Sequence, residues 1–145
     1  MAQTDRRRHT LLCLDLESGS SALCRYAAWQ AERCDDQIQV LHVYHEDLDE
    51  EGQHRCRQEI LALLNAVGIK QDTTEISLQP GIPDDVIPAY SQAQGVDLIL
   101  LGRRQRSRVE KLYVGSTTSA VICAVMLPIT VVPLTRETTP APSGP

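Results

Sequence analysis

Residues 98–117 read Leu-Ile-Leu-Leu-Gly-Arg-Arg-Gln-Arg-Ser-Arg-Val-Glu-Lys-Leu-Tyr-Val-Gly-Ser-Thr, and this stretch organises the chain. Its first residues continue an apolar run from Val96, which is typical of a strand buried on both faces in a parallel sheet. We expect the strand to end at Gly102, with a basic segment (103–111) leading to Gly115-Ser116-Thr117 at the start of a helix. Backbone N–H groups at a helix start lack internal partners and carry partial positive charge. The strand, the loop and the helix start together predict an anion site.

Strands and helices are predicted to alternate along the rest of the chain. Apolar runs predict strands at 10–14, 38–44, 74–78, 96–101 and 129–132, with a helix between each pair. Ser20 or Ser21 is expected to cap the first helix, and Pro88 to shorten or bend the third, which should end by Gly95. Because crossovers between parallel strands are right-handed, this order predicts one parallel sheet with helices on both faces.

Composition limits the classes of function. The 145 residues suggest one domain, predicted at 9–134, with a flexible segment at 1–8 and a disordered tail at 135–145. The net charge of −5 argues against nucleic acid as the main partner. No apolar run approaches the roughly 20 residues of a membrane span, and no secretory signal is recognisable. Five scattered cysteines without CxxC spacing predict reduced thiols and a cytoplasmic location.

The glycines of the opening stretch resemble the universal stress protein family. That family's signature is Gly, two residues, Gly, nine residues, Gly, and then Ser or Thr. Gly102, Gly115 and Ser116 stand at this spacing, whereas Gln105 replaces the middle glycine. The resemblance covers about residues 9–134 and implies a Rossmann-like, five-stranded sheet in the order 3-2-1-4-5. The ends of the first and fourth strands would then adjoin, so that Asp15 and Gly102 face each other across a crevice.

The resemblance also implies which residues would hold an adenine nucleotide. Asp15 matches the position that holds the adenine and ribose end, and Val43 matches a residue that lines the adenine pocket. The implied phosphate positions are Gly102, Gly115, Ser116 and Thr117. Arginines of the basic segment could replace a lost backbone contact by binding phosphate bidentately, with Arg103 and Arg104 nearest the strand.

Each of these residues also has a structural interpretation. Asp15 could cap the loop or the helix that follows it, and Val43 could be ordinary sheet core. The arginines could face solvent or dock an acidic partner. These alternatives stay open at the level of sequence.

Gln105 determines how tightly this chain is expected to bind a nucleotide, compared with family members that have the middle glycine. A side chain at a glycine position of positive φ costs about 1–2 kcal/mol, and one lost amide-to-phosphate hydrogen bond costs about 1.5–3 kcal/mol. The sum weakens binding roughly a hundred- to several-thousand-fold. The pattern Gly-x-x-Gln is similar to the UspA-like branch of the family, so binding of ATP with Mg²⁺ is expected to be weak or absent.

Three functions follow from these considerations. The main hypothesis is a dimeric stress-response binding or regulatory protein without enzymatic activity, which pairs through Ile129–Val132 of the last strand. The second is a genuine ATP-binding protein that hydrolyses ATP slowly or phosphorylates itself. The third is a regulatory partner that docks another protein through the basic segment. No metal site is expected, because His42 and His45 would point to opposite faces of a strand.

Overall fold

The computed structural model describes residues 7–70, 74–104 and 116–134. The elements are β1 His9–Cys13, α1 Ser20–Cys34, β2 Gln37–Tyr44, α2 Glu50–Ala66, β3 Glu75–Pro80, α3 Pro83–Gln94, β4 Leu98–Arg104, α4 Ser116–Ala124 and β5 Ile129–Leu134. Five parallel strands form one sheet in the order β3-β2-β1-β4-β5, which confirms the predicted fold class. The domain limits stay a prediction, because 1–6 and 135–145 lie outside the described residues.

Each face of the sheet has its own hydrophobic core. On one face, α1 and α2 pack against Leu12 and its neighbours in β2 and β4. On the other face, α3 and α4 pack against Leu11 and the alternate residues of those strands. Leu11 and Leu12 are both fully buried, as a strand between two helical layers requires. Within the described residues, no helix is both long enough and apolar enough to cross a membrane.

The last two strands are longer than predicted. β4 does not end at Gly102 but continues to Arg104, because Gly102 and Arg103 pair in register with Val132 and Pro133 of β5. β5 likewise passes through Pro133 to Leu134. Proline lacks an N–H, and it is tolerated here because β5 lies at the edge of the sheet, with β4 as its one neighbour.

The predicted cap of α1 was wrong. Gly19, with a left-handed φ of 97°, is the N-cap, and no side chain caps this helix. Ser20 is the first helical residue, one position too late to cap, and its hydroxyl donates to Asp15 instead. A Cβ at Gly19 would lie 2.9 Å from Leu134 Cδ1, so both the backbone angle and the packing favour glycine.

α3 starts at Pro83 and passes through its internal proline. Pro83 occupies the first turn with Asp84 and Asp85, where negative charge is favourable. Pro88 lacks the N–H that would bond to the carbonyl of Asp84, yet the helix continues to the predicted stop at Gly95. The twelve-residue helix is therefore not shortened at Pro88.

A buried carboxylate anchors the start of β1. Asp36 is 2% exposed, and its two oxygens accept hydrogen bonds of 2.8 Å each from Arg8. Gln30 of α1 and Thr10 of β1 donate to the same carboxylate at 3.0 and 3.1 Å. Asp36 therefore joins β1 to the end of α1 and sets the position of the strand that leads to Asp15.

Candidate functional site

A cavity of about 120 Å³ lies at the carboxyl ends of β1 and β4. Open α/β sheets bind ligands at this kind of position, where the strand order reverses. Its wall brings together four of the predicted residues, Asp15, Val43, Gly102 and Thr117. The remaining lining is mostly apolar, with Cys13, Leu14, Ser20, Leu23, Leu41, Pro83, Ile87, Leu101, Thr118 and Leu134. The nucleotide-binding roles of the four residues stay predictions.

Asp15 organises the loop between β1 and α1. Its Oδ1 accepts from the backbone N–H of Glu17 at 3.0 Å and from the hydroxyl of Ser20 at 3.4 Å. The residue is nevertheless exposed, so solvent or a ligand reaches its carboxylate. The structural interpretation of Asp15 therefore has direct support, and it leaves room for contact with a ligand.

His42 contacts the backbone of Leu14, at the start of the same loop. Its Nδ1 lies 2.8 Å from the carbonyl oxygen of Leu14, and because a carbonyl can only accept, Nδ1 must be the protonated nitrogen. No local pattern indicated this contact of His42, because it depends on the pairing of β1 with β2. Among the described residues, no group of three or more His, Cys, Asp or Glu side chains is placed to hold a metal ion.

The far wall of the cavity joins the starts of α3 and α4. Thr117 Oγ1 donates a hydrogen bond of 2.6 Å to Asp84 Oδ1. Thr117 was predicted as a phosphate contact, and no contact between it and Asp84 was predicted. Because 33 residues separate the two, no local sequence pattern could have indicated the contact.

The other predicted site residues are described only in part. Arg103 is half-buried in β4. Arg104 and Ser116 belong to β4 and α4, but their side chains are not among those described. Gln105 and Gly115 lie outside the described residues. The described cavity therefore contains Asp15 and Val43, predicted to contact adenine and ribose, and two of the predicted phosphate positions, Gly102 and Thr117.

The described wall contains no arrangement for nucleophilic catalysis. Burial raises the pKa of Cys13 to about 12, so its thiol stays protonated at neutral pH. The hydroxyl of Ser20 is bonded to Asp15, and no histidine is among the described lining residues. A nucleophile needs an adjacent base or a lowered pKa. Cys13 has a raised pKa, and the Asp15 carboxylate beside Ser20 also accepts from the N–H of Glu17, which holds the loop.

A larger groove, of about 550 Å³, lies at the amino ends of the strands, near the starts of β2 and β3. α1 and the connection from α2 to β3 form its walls, with Arg25, Trp29 and Lys70 among the lining residues. Its lining includes Lys70 and Thr74, and the residues between them, 71–73, lie outside the described residues. Ligands of parallel α/β sheets bind at the carboxyl ends of the strands, so the smaller cavity is the better candidate.

Comparison with known proteins agrees with the fold and with the signature. The model of the universal stress protein family matches residues 6–133. Universal stress protein Slr1230 of Synechocystis sp. is 33% identical over 55 residues, an alignment that covers 38% of this chain and 19% of that protein. The chain thus aligns with about a fifth of the length of this curated relative.

Solved structures of similar proteins share the architecture. A universal stress protein in complex with cAMP superimposes with a TM-score of 0.70 at 16% identity, covering 87% of this chain and 96% of that one. A universal stress protein from Archaeoglobus fulgidus in complex with dAMP gives 0.64 at 15% identity, covering 89% and 98%. UspA from Lactobacillus plantarum gives 0.61 at 24% identity, covering 88% and 98%. These likenesses show the fold, and since the family model matches most of the chain, this protein belongs to the universal stress protein family.

Proposed function

We propose that the protein is a homodimeric stress-response regulatory protein that binds adenine nucleotides weakly or not at all. The observation that carries this proposal is the size and charge of the cavity between β1 and β4. Its volume is about 120 Å³, whereas ligand pockets usually span about 300–1,000 Å³. The described lining contains the carboxylate of Asp15 and no lysine or arginine, so this part of the wall offers a phosphate no neutralising charge.

The replaced glycine of the signature supports the same proposal. Gln105 stands where the family's nucleotide-binding pattern has its middle glycine. Two structurally similar proteins were solved in complex with cAMP and with dAMP, which makes adenine nucleotides the ligand class to test. On this proposal the present chain keeps the position of that site and has lost most of its affinity.

Isothermal titration with MgATP tests the proposal. Wild-type protein should give a dissociation constant in the millimolar range or no measurable heat. Gln105→Gly restores the pattern and should tighten ATP binding on the order of a hundredfold. Ser107→Gly, in the same basic segment but outside the signature, is the matched control and should leave affinity unchanged. Micromolar binding by the wild type would contradict the proposal.

A second candidate is a genuine ATP-binding protein with slow hydrolysis or self-phosphorylation. The observation that favours it is the meeting of Asp15, Val43, Gly102 and Thr117 on one cavity. Nucleotide retained through purification, or phosphate transfer from labelled ATP to the protein, would support it. No thermal shift with millimolar MgATP would count against it.

The dimer is proposed to form through Ile129–Val132 of β5. This strand is the open edge of the sheet next to β4, and its first four residues are only half-buried. Two exposed apolar side chains precede it, Ile122 at 48% and Met126 at 98%. Edge strands with unpaired backbone groups readily pair with another chain, so a second copy would cover this edge.

Two further parts of the proposal concern partners and location. The basic segment could dock an acidic protein partner, and charge reversal at Arg103 and Arg104 should then abolish its capture in pull-down experiments.

All five cysteines are free, in keeping with a reducing compartment such as the cytoplasm. Fractionation of cells that express the tagged protein tests the location.

A further inference from the structure

The first turns of α3 and α4 meet at the wall of the candidate cavity. Pro83 and Ile87 of α3 line the cavity, as do Thr117 and Thr118 of α4. Asp84 lies between the two α3 residues in sequence and is half-buried. Its Oδ1 accepts the 2.6 Å hydrogen bond from Thr117, so a carboxylate is bound at the start of α4.

The start of α4 is where the signature would place a phosphate. Unpaired N–H groups give the first turn of a helix a partial positive charge that attracts anions. In this chain the carboxylate of Asp84 already lies at the start of α4. A ligand phosphate reaching Thr117 would meet a hydroxyl whose proton is engaged and a negative charge within hydrogen-bond distance of it.

We propose that Asp84 is a specificity-determining residue that makes this cavity select an uncharged ligand over its phosphorylated form. The inference rests on the proposed function, because it concerns the same cavity. On this inference, the contact between Asp84 and Thr117 accounts for part of the weak nucleotide binding, independently of Gln105. Asp15 adds a second carboxylate to the lining of the cavity, and its charge also opposes a phosphate.

A neutral isostere separates charge from geometry. Asp84→Asn keeps an oxygen that accepts from Thr117 and removes the negative charge. Asp85→Asn is the matched control, because Asp85 is the next residue in the same first turn of α3, is exposed, and carries the same charge. AMP and adenosine are the matched ligands, since they differ by the phosphate alone.

The experiment is isothermal titration of AMP and adenosine against the wild type and both variants, at low and at high salt. Asp84→Asn should tighten AMP binding on the order of tenfold and leave adenosine binding unchanged. Asp85→Asn should change AMP binding by less than about twofold, because an exposed charge is screened. The gain from Asp84→Asn should shrink as salt rises.

Three results would overturn the inference: no gain in AMP binding with Asp84→Asn, an equal gain for adenosine, or an equal gain with Asp85→Asn. If the asparagine variant folds poorly, Asp84→Ser, which introduces a smaller neutral residue, should give the same gain in AMP binding without a gain in adenosine binding. Thermal melting checks the fold of each variant. Micromolar ATP binding by the wild type would contradict the proposed function, whereas the ratio between Asp84→Asn and wild type decides this inference separately.

Discussion

Leu134 packs directly on the backbone of Gly102. A Cβ at position 102 would lie 2.5 Å from Leu134 Cδ1 and 3.2 Å from its Cγ. Gly102 has no positive φ and pairs regularly with Val132, so packing and not backbone angle requires the glycine. The first glycine of the signature thus has a structural role in this chain that does not depend on a ligand.

Replacing Gly102 should therefore destabilise the protein without any ligand present. Gly102→Ala should lower the free energy of unfolding by about 1–3 kcal/mol, because the added methyl overpacks the site. Leu134→Ala alone should lower it by about 2–5 kcal/mol. The double variant should lose clearly less than the sum, since alanine at 134 makes room at 102. Urea unfolding of the four proteins measures this coupling, and additive losses would show that the two residues do not clash.

Asp36 should make a large contribution to stability. Asp36→Asn should lower the free energy of unfolding at pH 7 by about 1–3 kcal/mol, because it weakens hydrogen bonds to a buried charged group. Asp35→Asn is the matched control: the neighbouring side chain is 84% exposed, and asparagine tolerates its left-handed φ of 54°. Urea unfolding should show almost no loss for the control. Equal losses in the two variants would contradict a special role for Asp36.

The same residue gives a signed pH dependence. Burial by itself raises the pKa of Asp36, but hydrogen bonds from Arg8 and Gln30, with the charge of Arg8, outweigh burial and hold the pKa below its usual value. The unfolded chain therefore takes up this proton first as pH falls. The stabilisation is complete above the unfolded pKa of about 3.9 and is lost as pH falls through the lower folded pKa. Asp36→Asn should reduce the acid-side slope of stability against pH, and an unchanged slope would contradict this assignment.

Asp15 should prove to be a loop residue whether or not a ligand binds. Asp15→Ala removes the acceptor for Glu17 N–H and for Ser20, and should lower the free energy of unfolding by about 1–2 kcal/mol. Asp15→Asn keeps an acceptor oxygen and should change stability by less than about 0.5 kcal/mol. Thermal melts of the two variants without ligand measure the difference. If both variants melt like the wild type, the loop does not depend on this side chain.

Charge placed on the edge strand should disrupt the proposed dimer. Val131→Lys puts an ammonium group on β5, where a second copy would pair, and should shift the protein to monomer. Glu75→Lys places the same residue type on β3, the opposite edge of the sheet, and should leave the dimer intact. Light scattering after size-exclusion chromatography measures the mass. A monomeric wild type, or dissociation by the β3 variant alone, would contradict pairing through β5.

The cysteines should differ sharply in reactivity. Burial raises the pKa of Cys13 and of Cys24 to about 12, so both should resist alkylation at pH 8 in the folded protein. Cys34 and Cys123 are exposed and should be modified first. Mass spectrometry after brief treatment with iodoacetamide locates the label, and denatured protein, in which all the thiols react, is the control. Early labelling of Cys13 would mean that the cavity opens readily.

Local pattern was enough to predict the class of architecture, and the candidate cavity lies at the carboxyl ends of the strands, as expected for such a sheet. Buried apolar runs such as 96–101 and amphipathic helices alternate within short windows, and the handedness of crossovers then leaves few arrangements. The position of Asp15 after β1 and of Gly102 in β4 could be read in the same way, with the strand order supplied by the resemblance.

The identity of the contacts at the site came from the folded chain. Thr117 meets Asp84, Gly102 meets Leu134 and His42 meets Leu14 across separations of 33, 32 and 28 residues. The run of β4 past Gly102 and the cap at Gly19 likewise depend on β5, which follows both in sequence. Side-chain packing between distant segments decides such contacts, and no periodicity within one segment carries that information.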